Sequence, residues 1–107
     1  MSAVMSMGDV PVSRVLRIKG PQGLHARPAE LFARTAIQFE ATIELMRAEI
    51  RADAKSVLQL LTLGAAQGTE LVLEARGVDA RQAVEALVQL VDRDFVDEKN
   101  LNQEQAR

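Results

Sequence analysis

The spacing of apolar residues along this chain switches between a period of two and a helical period, and that switching is what most limits its fold. In "VSRVLRIKG" Leu16 and Ile18 share one face while Val15, Arg17 and Lys19 take the other, a half-buried strand ended by the Gly20-Pro21 turn signal. From residue 26 to about 38 the period changes, and Ala29, Phe32, Ala33 and Ala36 recur at helical spacing. Glu30 and Arg34 lie four apart there, in the favourable order for a helix ion pair. "ATIELMR" returns to alternation, with Ala41, Ile43 and Leu45 facing in, and "EIRADA" is expected to run back antiparallel to it. The connection at Ala48-Glu49 contains no Gly or Asn, so a tight primed turn is not signalled. "KSVLQLLTLG" reads as a short helix with Ser56 as N-cap and Gly64 just past its end. "GTELVLEARG" is a further strand with Leu71, Leu73 and Ala75 inward. Asp79 is then expected to cap a last helix, with Gln82 at the capping-box position and Ala80, Ala83, Val84, Leu87, Val88 and Val91 as its apolar stripe.

The order strand, helix, strand, strand, helix, strand, helix predicts an α+β domain, a single antiparallel sheet with its helices on one face. With 107 residues there is one domain, over 12–96, and no room for a deep substrate cavity. Residues 1–11 read as a flexible extension, and the polar run from 97 to 107 as a disordered tail. Aromatic residues make up only 3%, so Leu, Val, Ile and Ala must form the core. A net charge of −2 shows no footprint for nucleic acid, and no apolar run is long enough for membrane insertion. The absence of cysteine excludes disulfides and thiolate chemistry, and a single histidine argues against a metal site; no cofactor is implied. The N-terminal residues lack the pattern of a signal peptide, so the protein is expected to be cytoplasmic.

The single histidine stands in "GPQGLHARPAELFARTA". His25 precedes a predicted helix whose first amides, at Ala26 and Arg27, have no partner within the helix. Such a terminus, with its positive dipole end, is an anion site. Arg27 adds a planar fork of donors, Pro28 sits where a missing N–H costs nothing, and Gly20 and Gly23 let the backbone bend around the ring. A neutral imidazole is nucleophilic near pH 7, its reference pKa being ~6.5. Together these residues suit a histidine that becomes phosphorylated. A histidine that merely stands at a helix start accounts for the same residues, and composition alone favours that second reading.

Ser56 repeats the theme at the second helix. Its N-cap role alone explains a serine, while a phosphate there would add charge at a helix N-terminus, with Lys55 beside it to offset part of that charge. Leu60 and Leu63 of that helix are expected in the core, leaving Leu58 and Leu61 outward as a partner-binding patch unless the first helix or the tail covers it.

Two motifs, "GLHARPA" and "AKSVLQLLTLGAAQGTEL", carry a resemblance that runs from about residue 14 to 95. The chain resembles the HPr phosphocarrier proteins of the bacterial phosphoenolpyruvate-dependent phosphotransferase system. That resemblance implies an open-faced β-sandwich, a four-stranded antiparallel sheet with three helices on one face. It implies that His25 takes a phosphoryl group on Nδ1 from phosphorylated Enzyme I and passes it to a histidine of an enzyme IIA domain, with Arg27 assisting. It further implies that Ser56, with Lys55, is the target of an HPr kinase/phosphorylase, and that Ala26, Val57, Leu58, Leu61 and Thr62 face partners. The protein would then be a carrier rather than a stand-alone enzyme. Several residues depart from the family pattern. Glu30 places a negative charge one turn after His25, Ile37 and Gln59 stand at positions basic in some sugar-system members, and Ala48-Glu49 replaces a common Asn-Gly turn. These departures open an alternative, a nitrogen-branch or mainly regulatory relative working through Ser56-dependent partner binding rather than sugar uptake.

Overall fold

A computed structural model describes residues 10–95, so the expected tail at 97–107 and most of the extension at 1–11 lie outside the described residues. The elements follow the order read from the sequence: β1 Val12–Arg17, α1 Ala26–Ile37, β2 Thr42–Arg47, β3 Ile50–Asp53, α2 Val57–Leu61, β4 Glu70–Arg76 and α3 Ala80–Asp92. The strands form one sheet in the order β1-β4-β2-β3, and every neighbouring pair is antiparallel. Register is set by the alternation. Leu16 lies opposite Leu71, Leu73 opposite Leu45, and Leu45 opposite Ala52, so these inward residues of all four strands share one face, while Val15, Val72 and Met46 lie on the other. A slip of one residue would turn every one of them to solvent.

The three helices cover that face. Phe32, Ala33 and Ala36 of α1, Leu60 of α2, and Val84, Leu87 and Val91 of α3 are buried against Leu16, Ile43, Leu45, Leu71 and Leu73 of the sheet, and none of the described polar or charged residues is buried with them. Burying each large side chain contributes roughly 1.5–3 kcal/mol, and this shared core is the main source of stability. The opposite face is open and carries ion pairs between strands, among them Arg17–Glu70 and, at 2.6 Å, Arg51–Glu44. The architecture is an open-faced sandwich, as expected.

Local chemistry departs from expectation in two places. The β2–β3 connection is tight after all: Arg47 pairs with Ile50, leaving only Ala48 and Glu49 in the loop. Ala48 supplies the positive φ, 53°, that such a turn needs and that Gly or Asn would adopt at less cost. The second departure is Asp79. It occupies the N-cap position of α3 but makes no side-chain cap bond, with ψ at 24° rather than in the extended region. Its two carboxylate oxygens instead accept the amides of Ala41, at 2.8 Å, and Glu40, at 2.9 Å. The expected capping box with Gln82 is absent among the described residues because two amides between α1 and β2 claim the carboxylate. Gly77 reinforces this junction: at φ 139° it lets the chain pass so close to Ala41 that a Cβ would lie 2.8 Å from its Cα.

A second close backbone approach holds the loop between β1 and α1. The Leu24 amide donates to the Ala65 carbonyl at 2.8 Å. Gly23, at φ 70°, sits so near that a Cβ would lie 2.3 Å from the same oxygen. Neither a backbone carbonyl nor a left-handed φ can accommodate an added methyl cheaply.

Two measurements check these junctions. Acceptance of the Glu40 amide, with the Ala41 amide and Lys55 adding to it against a partly opposing desolvation, holds the Asp79 carboxyl below its ordinary value. A group depressed in the folded state contributes stability that is present above its unfolded pKa and is lost as pH falls through the folded one. Asp79→Asn is therefore expected to melt below wild type at neutral pH, with the gap closing in acid, as thermal melts across pH will show. Gly23→Ala is expected to cost about 2–4 kcal/mol in denaturant unfolding, from the unfavourable φ and the clash together.

Candidate functional site

The loop that carries His25 is built by three successive backbone bonds. Gly23 N–H closes a turn on Gly20 at 3.0 Å, Leu24 N–H ties to Ala65, and His25 N–H reaches back to Gly23 at 3.0 Å. Leu24 is buried, which anchors the loop in the core and leaves His25 exposed beside it. His25 is the N-cap of α1, with extended φ and ψ of −88° and −168°, and its carbonyl accepts the Ala29 amide at 3.0 Å. Its side chain makes no cap bond. The imidazole therefore remains available for chemistry while its backbone is fixed.

Ala26 and Arg27 open the helix, and among the described residues their amides donate to no protein acceptor. Pro28 has no N–H and is buried, so it stiffens the first turn without adding an unpaired donor. The site thus combines an exposed nucleophilic ring, two free amides at the positive end of a helix, and the Arg27 guanidinium. That arrangement can receive a phosphoryl group on the ring and spread its negative charge over several donors. The Arg27 side chain lies 3.6 Å from the Glu30 carboxylate, a pairing the sequence reading did not anticipate.

A shallow depression of about 300 Å³ adjoins the ring, lined by Gly20, Pro21, Gln22, Gly23, His25, Pro28 and Asp94. Asp94 was not singled out by the sequence. It follows α3 at φ 52°, its amide bonds Val91 at 2.9 Å, and the Phe95 amide bonds Leu90 at 2.8 Å. This is the Schellman pattern, in which the left-handed residue is usually Gly. A Gly there would have marked the helix end in the sequence; an Asp does not. A larger groove, about 660 Å³, lies along Val10, Val12, Gly77, Val78 and Arg81, shares no residue with the His25 depression and holds no nucleophile.

Ser56 is the N-cap of α2, and its hydroxyl accepts the Gln59 amide at 3.2 Å. Gln59 in turn accepts the Asp53 amide at 2.8 Å, so the polar start of α2 is tied to β3. Lys55 does not wait beside the hydroxyl: its ammonium donates to the Phe39 carbonyl at 2.7 Å, at the end of α1. Leu60 and Leu63 are fully buried, Leu58 is 78% exposed and Leu61 38%, and Val57 is half-buried. The outward patch is uncovered by any described residue. Because Ala65 lies four residues past the end of α2 and its carbonyl accepts the Leu24 amide, the stretch after Leu61 and Thr62 is tied to the His25 loop.

Comparison with known proteins bears on the family and the fold. Residues 12–93 match the family model described as the phosphotransferase-system HPr component phosphorylation site. The chain is 36% identical over 87 residues to the phosphocarrier protein HPr of Treponema pallidum, covering 81% of this chain and 99% of that one. It is 45% identical over 80 residues to the phosphoryl donor subunit DhaM of the PEP-dependent dihydroxyacetone kinase of Providencia stuartii, covering 75% of this chain but only 17% of that relative's length. Among solved structures, an HPr of Thermoanaerobacter tengcongensis superposes with a TM-score of 0.77 at 38% identity, over 81% of this chain and 98% of that one. The fold, the family match across nearly all of the described chain, and full-length relatives more than a third identical lead to one conclusion: the chain belongs to the HPr phosphocarrier family of the bacterial phosphotransferase system.

Proposed function

We propose that His25 accepts a phosphoryl group from phosphorylated Enzyme I and hands it to an enzyme IIA component. The observation that carries this reading is the free imidazole of the chain's single histidine, fixed at the start of a 12-residue helix whose first two amides are unpaired. In the transfer, the lone pair of His25 Nδ1 attacks phosphorus. The N–P bond to the donor ring breaks as the new N–P bond forms, and the donor nitrogen keeps the electron pair. The Ala26 and Arg27 amides and the Arg27 guanidinium stabilise the transferred charge. The reverse geometry passes the group to the next protein. Such a carrier brings a nucleophile in a prepared site, while its partners bring most of the catalysis.

Docking falls to Ala26, Val57, Leu58, Leu61 and Thr62, an exposed patch next to the His25 loop and large enough in apolar character to recognise another protein. Ser56 is the regulatory site, to be modified by an HPr kinase/phosphorylase. A phosphate there would project its charge into that same patch. We place the protein in the cytoplasm and take 12–96 as the carrier domain. A second reading, delivery of the phosphoryl group outside sugar uptake, is favoured by the similarity to the Providencia phosphoryl donor subunit and by Glu30.

Incubation with phosphoenolpyruvate and Enzyme I is expected to add one acid-labile phosphate, and His25→Ala to abolish it. Incubation with ATP and the kinase is expected to add acid-stable phosphate that Ser56→Ala removes. Persistent acid-labile label in His25→Ala would refute the carrier assignment, and unchanged acid-stable label in Ser56→Ala the regulatory one.

A further inference from the structure

Glu30, which directly follows the first motif, is a charged residue that this transfer leaves unused. It lies on α1 one turn after Arg27 and one turn before Arg34, and its Oε1 faces both guanidinium groups. The Arg34 contact is a hydrogen bond of 2.8 Å; the Arg27 contact, at 3.6 Å, is an ion pair without one. One carboxylate oxygen is therefore shared unequally between two cations, and the weaker share belongs to the arginine beside His25.

We propose that Glu30 is a positioning residue that competes with the phosphoryl group for Arg27, while Arg34 keeps Glu30 neutralised once Arg27 has left it. The proposal rests on phosphoryl transfer at His25. Before transfer, Glu30 is the counter-ion of Arg27. A phosphoryl group on His25 brings a larger negative charge, and a guanidinium fork binds it in two-point fashion. Two anions then claim one cation. Arg27, lacking a hydrogen bond to Glu30, is the side chain free to move, and the Arg34 bond spares Glu30 from being left uncompensated. The consequence is energetic. Part of the stabilisation that Arg27 gives the phosphorylated form is spent on leaving Glu30, so the phosphorylated protein gives up its group more readily than one without this carboxylate. All three side chains are about half exposed, so the effect is bounded by the small worth of surface ion pairs, roughly a two- to fivefold change in an equilibrium constant.

The test is the equilibrium of transfer between Enzyme I and this protein, charged with limiting phosphoenolpyruvate and read by mass spectrometry of the intact chains. Glu30→Gln is expected to shift it toward the phosphorylated protein by roughly two- to fivefold. Arg34→Gln, which leaves Glu30 to hold Arg27 alone, is expected to shift it the other way. The Glu30→Gln shift is expected to be lost in an Arg27→Gln background, and the Arg34→Gln arm decides alone where that background transfers too slowly. A role confined to helix stability would move Glu30→Gln and Arg34→Gln in the same direction, since each removes an ion pair along α1. An unmoved equilibrium in Glu30→Gln, a same-direction shift in Arg34→Gln, or a full shift without Arg27 overturns the proposal. A wild-type chain that takes no label on His25 overturns instead the reading on which it rests.

Discussion

The site depends on one backbone contact, the Leu24 amide on the Ala65 carbonyl, with Gly23 pressed against the same oxygen. The hydrogen bond itself contributes only about 0.5–1.5 kcal/mol. Its importance is geometric. It joins the loop before α1 to the loop after α2, which places the free imidazole of His25 next to the exposed end of a helix that carries Leu58 and Leu61. A five-residue helix such as α2 has no stability of its own in water. It is held by the Ser56 cap, by the buried side chains Leu60 and Leu63, and by Arg47 donating to the Leu63 carbonyl. The two motifs of the sequence are thus parts of one surface rather than separate sites.

Charge is arranged around that surface with the same economy. Among the described residues no polar or charged side chain is buried in the core, so their ionisable groups lie at or near solvent. Exposed pairs contribute little to stability, so the pairs that Arg27 and Arg34 make with Glu30 add little to the fold. Asp79 is the exception, a carboxylate whose structural role is plain. It takes up two amides between α1 and β2 and fixes the end of the helix that His25 begins.

The element order and inward residues were legible because a shared core rewards strict periodicity, as with Leu71, Leu73 and Ala75 or Ala29, Phe32 and Ala33. The Glu30–Arg34 pair was legible for the same reason, since helix geometry fixes its spacing. What escaped was decided by tertiary contacts. Asp79 carries the local signature of a cap, but amides far along the chain compete for its carboxylate and win. Ala48 and Asp94 adopt left-handed backbone where Gly is usual, because strand pairing and helix-end bonding over-determine them. Lys55, read as a neighbour for Ser56, is drawn to a carbonyl at the end of α1. The free amides of Ala26 and Arg27 followed from helix geometry alone, and the i,i+3 spacing of Arg27 and Glu30 held the signal for their pairing as well.

On the proposed function, a phosphoryl group on His25 is held by the first amides of α1. The most direct measurement is a two-dimensional 1H–15N spectrum of the labelled protein before and after phosphorylation by Enzyme I. The Ala26 and Arg27 amides are expected to move strongly downfield, the signature of new hydrogen bonds to an anion, while amides of the sheet stay in place. Phosphorylation that leaves those two amides unmoved would contradict it.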